Sequence, residues 1–341
     1  MLESIWFVLW GVLWAVYFML DGFDLGLGAL MPVLAKSEDD KRVIYGAMGP
    51  FWDGNEVWLL TAGGVTFAAF PGTYAVMFSS LYSALMLLLF ALILRGVAFE
   101  FRGKVDSPVW RALWDGCLWV GSFAPALLLG VAFANIFKGI PIDGQGVYQG
   151  TLLTLLNPYG LLGGVFFVLL FAQHGALWLA IKASGELEQR AGAMARRLWP
   201  VLLVVAVVFL AATWMATNLY ANYLAQPVLW ILPLLAVAAL LATRAIMAKG
   251  SWGRAWIASA VTIVACTLFG VVGLYPAMLP SSLDAAFSRT IHNSASSPLT
   301  LKIMLGVALV MVPVVIAYQL WSYLRFSHKL TPEEMAREPH Y

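Results

Sequence analysis

The chain has 341 residues, 62% of them hydrophobic and 11% charged, with a formal net charge of +2. Soluble domains carry about a quarter charged residues because their surfaces face water, so this composition excludes a soluble globular protein and predicts one that faces lipid. The small net charge and the lack of a basic run exclude nucleic acid as a partner.

Read in chain order, nine apolar stretches approach the ~20 residues that a helix needs to cross hydrocarbon. They are 4–33, 52–70, 74–101, 112–136, 156–182, 198–222, 227–248, 254–278 and 299–326. The first has no basic n-region and no small-residue cleavage site before it, so it is expected to be a retained span and not a signal peptide. Charges and breakers separate the spans, among them Lys36 to Arg42, Pro71-Gly72 and Lys182 to Arg197. With a periplasmic N-terminus and a cytoplasmic C-terminus, the inner side holds every basic residue except Lys138, Arg289, Lys302 and the intramembrane Arg95. That bias is the positive-inside pattern. The expected fold is therefore an all-α polytopic membrane protein forming a single integral-membrane domain. Residues 1–150 and 151–341 are expected to give two four-helix bundles plus one peripheral helix, and the longest non-helical segments, 137–155 and 277–298, fall outside.

Ionisable groups at mid-depth cost about 3 kcal/mol or more, so those retained inside a membrane suggest function. Asp21 and Asp24 lie in the second half of the first span, and Asp53 and Glu56 open the second. Arg95 and Glu100 lie near the inner end of the third, and Asp115 starts the fourth. All fall in the inner third of the first four helices, whereas the later spans offer only His174. Each acidic pair is spaced i, i+3 and so projects from one helix face. Gly22, Gly26 and Gly28 let a neighbouring backbone approach the first helix. Arg95, read as the lone basic group of the set, is expected to clamp Asp24, Asp115 or both. A carboxylate left without a cation is then open to binding and passing on protons. The competing reading, interfacial side chains reaching for water, suits Glu100 and Glu56 better than the short Asp24 and Asp53.

The histidines narrow the chemistry. His292, His328 and His340 lie outside the spans, and only His174 lies within one. A haem held between helices commonly takes a pair of strong axial ligands, and two facing intramembrane histidines are not available. His174 is expected to be a hydrogen-bonded core residue. Cys117 and Cys266 sit singly in apolar stretches and are expected to pack as small apolar side chains. The carboxylate–histidine sets of di-iron bundles are also missing. The chain is thus expected to hold no redox metal, leaving redox chemistry to a partner.

Two stretches resemble a known family. Asp21-Gly22-Phe23-Asp24-Leu25-Gly26 and Trp52-Asp53-Gly54-Asn55-Glu56-Val57-Trp58-Leu59 are similar to signatures of cytochrome bd oxidase subunit II. The likeness continues through Thr61 to Gly64, Arg95 to Arg102, Gly121 to Phe123, Gly130 to Phe133, Leu156 to Pro158, Gly185 to Leu187 and Pro280 to Ser282. It implies a haem-bearing partner, subunit I, carrying three haems of types b and d and the quinol site. The pair would oxidise quinol on the outer side and reduce O2 to water with cytoplasmic protons, in the bacterial inner membrane. By the same likeness Asp53 belongs to the proton route, joined by Glu56, and Trp58 lies near an apolar O2 path. On physical grounds the aromatic second and third helices, with Phe67, Phe70 and Phe78, would supply such a gas route. Asp24, Arg95 and Asp115, with Asp21, match a buried ionic cluster holding the first four helices together. A structural quinone and a small single-helix subunit occur in some members. Phe51 departs from those members that carry histidine before the Trp-Asp pair, so a relay through that side chain is absent. The leading alternative is a proton-coupled secondary transporter, which also needs buried carboxylates, although such sites usually lie at mid-membrane between paired repeats. A third reading is an inert scaffold shielding the partner's haems from lipid.

Overall fold

The structure, a computed structural model, describes residues 1–331, so Arg337 and His340 lie outside the described residues. Its helices run in chain order α1 (Leu2–Leu34), α2 (Glu38–Met48), α3 (Trp52–Ala69), α4 (Pro71–Ser80), α5 (Tyr82–Phe101), α6 (Pro108–Lys138) and α7 (Leu152–Leu155). They continue with α8 (Pro158–Lys182), α9 (Gly185–Ala216), α10 (Tyr220–Ala225), α11 (Ile231–Ala248), α12 (Trp252–Leu274), α13 (Ile291–Ser294) and α14 (Pro298–Arg325). Several starts follow from local chemistry. Ser107, Asn157 and Ser297 cap α6, α8 and α14 through their side chains, each followed by a proline in the first turn, where a missing N–H costs nothing.

Eight of these helices are long and apolar enough to cross a membrane. The expected ninth, 52–70, forms as α3 but is not among them, because Asp53, Asn55 and Glu56 occupy its first turns. It is nonetheless bound into the body, with the Trp10 indole of α1 donating to Thr66 Oγ1 at 2.9 Å. The stretch 74–101 is two helices, α4 and α5, meeting at Leu81. The span expected at 198–222 begins earlier, at Gly185, since Leu187, Ala191 and Ala195 bury one face of a charged first segment. Hydropathy marks where a helix meets lipid, not where it starts. The segment Lys36 to Arg42, read as a break, instead enters the amphipathic α2, which Ser37 and Asp40 close with a reciprocal capping box.

Helix α1 is the axis of the molecule and is largely buried. It packs on α3, α6, α8 and α12, so it binds helices from both halves of the chain. The α1–α8 crossing is backbone to backbone: a Cβ at Gly26 would collide with the Phe171 carbonyl, and one at Gly175 with Leu27 N. The two long loops meet at one end, where Ile140 N donates to Pro280 O (3.1 Å) and Ser282 N to Ile140 O (3.0 Å). Beside them β1 (Ala277–Leu279) and β2 (Arg289–Thr290) form a short antiparallel pair, the sole sheet among the described residues. By contrast α14 is exposed along most of its length. It is pinned by the Trp6 indole to Leu301 O at 3.0 Å and, at its far end, by Lys182 Nζ donating to the Phe326 and His328 carbonyls.

Candidate functional site

Four helices bring their polar side chains to one point. Arg95 of α5 is almost wholly buried, and its Nη2 donates to Asp21 Oδ1 of α1 at 2.7 Å and to Glu56 Oε2 of α3 at 3.0 Å. The approach of α6 makes room for this, since Gly121 lies so close to Ala91 O and Arg95 N that a side chain there would clash. One turn beyond Asp21, Asp24 Oδ2 accepts from Asn55 Nδ2 at 2.7 Å. Asn55 also donates to Leu20 O (3.3 Å), and its Oδ1 accepts from Gln319 Nε2 (2.9 Å) and the Tyr323 hydroxyl (3.1 Å) of α14. Gln319 Oε1 in turn accepts from the Trp58 indole at 3.4 Å. Two carboxylates thus hold one guanidinium with a third, Asp24, one turn away, and Asp21 Oδ2, Asp24 Oδ1, Arg95 Nε and Arg95 Nη1 remain buried without a protein partner. Buried polar atoms of this kind are normally met by ordered water. The arrangement concentrates buried carboxyl groups and unpartnered polar atoms beside one guanidinium.

A second cluster lies nearer the helix ends. Asp115 of α6 accepts from Arg102 Nε at 2.7 Å, Lys41 Nζ at 2.8 Å and the Tyr45 hydroxyl at 3.2 Å. Arg102 Nη2 also reaches Glu38 Oε1 at 2.6 Å, so α2, α5 and α6 are tied together.

These contacts correct the expected clamp. Arg95 holds Asp21 and Glu56, not Asp24 or Asp115, and it is not the lone basic group of the set. Asp115 is served by Arg102 across the α5–α6 hairpin, and by Lys41 from α2, a helix the hydropathy pattern did not mark. Asp24 has turned away from the guanidinium to an amide. Glu56, grouped with the proton route, is also a member of the ionic cluster. Asp53 is exposed on α3 and makes no hydrogen bond or ion pair among the described residues, and Glu100 is likewise exposed on α5. Trp58 is buried, while Phe67 is exposed and stacks edge-on with Tyr74, which stacks on Phe78. Phe51 is buried against Tyr323, with ring centroids 4.6 Å apart. Asn55, Arg102, Lys41, Gln319 and Tyr323 were missed. The available signal was an amide within a helical run of acids, and a Gln–Tyr pair spaced i, i+4 in the otherwise apolar α14.

His174 is a core histidine, as expected. Nδ1 lies 3.1 Å from Ser259 Oγ, Nε2 lies 3.1 Å from Met19 O, and the ring stacks on Trp256 at 5.0 Å. With both nitrogens engaged it does not fit an axial ligand. No group of three His, Cys, Asp or Glu among the described residues is arranged to hold a metal ion. Both cysteines are free thiols. The second half contains instead a cavity of about 70 Å³ lined by phenylalanines from α1, α6, α8, α9 and α12, including Phe18, Phe133, Phe166, Phe209 and Phe269. Its hydroxyl groups, on Thr262 and Thr267, are spent on carbonyls of their own helix, Ala258 O and Ile263 O.

Comparison with known proteins agrees with this architecture. The family model described as cytochrome bd terminal oxidase subunit II matches residues 2–326. A protein of Haemophilus influenzae named probable cytochrome oxidase subunit 2 is 38% identical over 99% of this chain and 98% of its own. The cytochrome bd ubiquinol oxidase subunit 2 of Bacillus subtilis is 36% identical over 98% of each chain. The cytochrome bd-I ubiquinol oxidase subunit 2 of Escherichia coli K12 is 36% identical over 99% of this chain and 98% of its own. In fold, the chain superimposes on a chain of the bd oxidase from Geobacillus thermodenitrificans with a TM-score of 0.72 at 18% identity, covering 95% of this chain and 98% of that one. The protein is therefore a multi-pass membrane protein and belongs to the cytochrome bd terminal oxidase subunit II family.

Proposed function

We propose that this chain is the haem-free subunit of a quinol:O2 oxidoreductase of the inner membrane, with its N-terminus periplasmic, and that it supplies protons and an O2 route to haems b and d in a partner subunit I. The observation that carries this reading is the buried group of Asp21, Asp24 and Glu56 around Arg95, reached from the exposed Asp53 three residues before Glu56. A carboxylate free of partners on the surface collects protons, and the unpaired polar atoms within give water somewhere to sit and pass them on. Asp53 shares α3 with the exposed apolar residues Val57 and Leu60. This face is the one we assign to the partner, so that Asp53 takes up protons at the edge of the subunit boundary. Trp58, on the buried side of the same helix, lines the proposed O2 path with Phe70. Electron transfer is the work of the partner's haems; this chain binds, orients and conducts.

The phenylalanine-lined cavity fits the isoprenoid tail of a quinone better than its polar ring, since its hydroxyls are already bonded within their helices. A small single-helix subunit has no assigned docking face. Purification of the tagged chain from native membranes tests the reading. A haem-bearing companion and a reduced-minus-oxidised spectrum with b- and d-type bands are expected. A colourless protein that moves protons or substrate by itself would establish the transporter alternative instead.

A further inference from the structure

From Gln189 to Leu283 the chain contains no Asp or Glu, yet it carries Arg196, Arg197, Arg244, Lys249 and Arg254 in that interval, all exposed and none ion-paired among the described residues. The positive-inside pattern accounts for cations at this end but not for their lack of partners. At the same end of the first half, Lys41, Arg42, Arg102 and Arg111 meet acids while the scattered Lys36 and Lys104 do not, and Arg190 at the start of α9 is also paired. Arg196, Arg244, Lys249 and Arg254 also lie on segments that pack together. The Arg196 guanidinium stands 5.2 Å over the Trp252 ring, which brings α9 to the start of α12. The Trp199 indole donates to Leu240 O at 2.8 Å, one turn before Arg244 on α11. Lys249 occupies the tight α11–α12 turn, where Gly250 has φ +68°.

Three further features complete a receptor for a phosphate on a lipid. The N-cap of α12, Ser251, makes no side-chain cap bond, so the positive N-terminus of a 23-residue helix faces the same corner. Trp199 and Trp252 stand beside these cations, and amphipathic rings of this kind favour a membrane interface. Below them the exposed side chains Val204 and Val208 of α9 and Leu234 and Leu241 of α11 offer an apolar bed for acyl chains.

We propose that the α9–α11–α12 corner is a binding site for an anionic phospholipid, its phosphate held by these cations and the α12 N-terminus and its chains laid between α9 and α11. The inference is independent of any role in O2 reduction.

Native mass spectrometry of the purified complex, in detergent doped with phosphatidylglycerol or phosphatidylcholine of identical acyl chains, reads retention directly. The wild type should keep phosphatidylglycerol in preference to phosphatidylcholine by about tenfold or more, since each basic residue near an anionic headgroup is worth about a factor of five. Lys249→Gln/Arg254→Gln, confined to the turn and its first helical residues, should remove most of that preference. Adding Arg196→Gln and Arg244→Gln should bring the two lipids level. Arg111→Gln, a paired cation at the same end of the first half, serves as the control and should leave retention unchanged. Equal retention of the two lipids by the wild type, or undiminished preference in the four-residue variant, would overturn the site.

Discussion

The two halves of the molecule treat charge in opposite ways. In α1–α6 charged groups are drawn together between helices, and Lys41, Arg95 and Arg102 each have an acid within 3.0 Å. In α8–α12 the interior is phenylalanine and glycine around His174, and Arg196, Arg197, Arg244 and Arg254 are exposed without acidic partners, although Arg190 meets Asp40 and Glu186. Both halves need the same apolar contact with lipid, so lipid does not explain the difference. Buried ions are poor sources of stability, because desolvation offsets most of their attraction. The interior of α8–α12 is built without such ion pairs, so helices of this size can pack without them. The ions of the first half therefore call for a reason beyond stability, and the proposed proton role supplies one.

Substitutions sharpen that contrast, from the most severe downward. Arg95→Ala strips the cation from Asp21 and Glu56 and should cost about 3–5 kcal/mol, seen as a lowered yield of intact complex. Normal yield and thermal stability would show that the guanidinium is dispensable. Asn55→Ala removes the donor to Asp24 and the acceptor for Gln319 and Tyr323, and should cost about 2–3 kcal/mol by leaving buried groups unmet. A melting temperature unchanged from wild type would contradict that network. Tyr323→Phe deletes a single hydrogen bond to Asn55 while keeping the stack on Phe51, for about 0.5–1.5 kcal/mol. In the second half, Arg254→Gln should shift stability by no more than about 0.5 kcal/mol, as usual for an exposed site. A large loss of thermal stability there would erase the distinction between the halves.

Much of this contrast is legible in the sequence. The spans, the gathering of Asp21, Asp24, Glu56 and Arg95, and the core role of His174 all follow from hydropathy, spacing and donor chemistry, whereas Asp115 joins a separate cluster. Pairing does not. Whether Arg95 reaches Asp21 or Asp24 depends on how α5 is rotated against α1, and three residues along a helix turn a side chain by about 300°. Contributions from distant segments are also hidden: α2 has the composition of a loop, and Gln319 with Tyr323 looks like polar variation in an apolar helix until Asn55 is placed beside them. The start of α3 was readable as polar, but its consequence, a helix less apolar than a usual span, emerges only once its length is fixed at 18 residues.

The central claim is that acids at the inner end of the first bundle feed protons to redox centres held by the partner. Its most direct test follows proton uptake when the fully reduced complex meets O2, comparing wild type with Asp53→Asn. The account predicts uptake and water formation slowed about tenfold or more, with haem content and spectrum unaltered. Uptake at the wild-type rate in a fully assembled Asp53→Asn complex would contradict it.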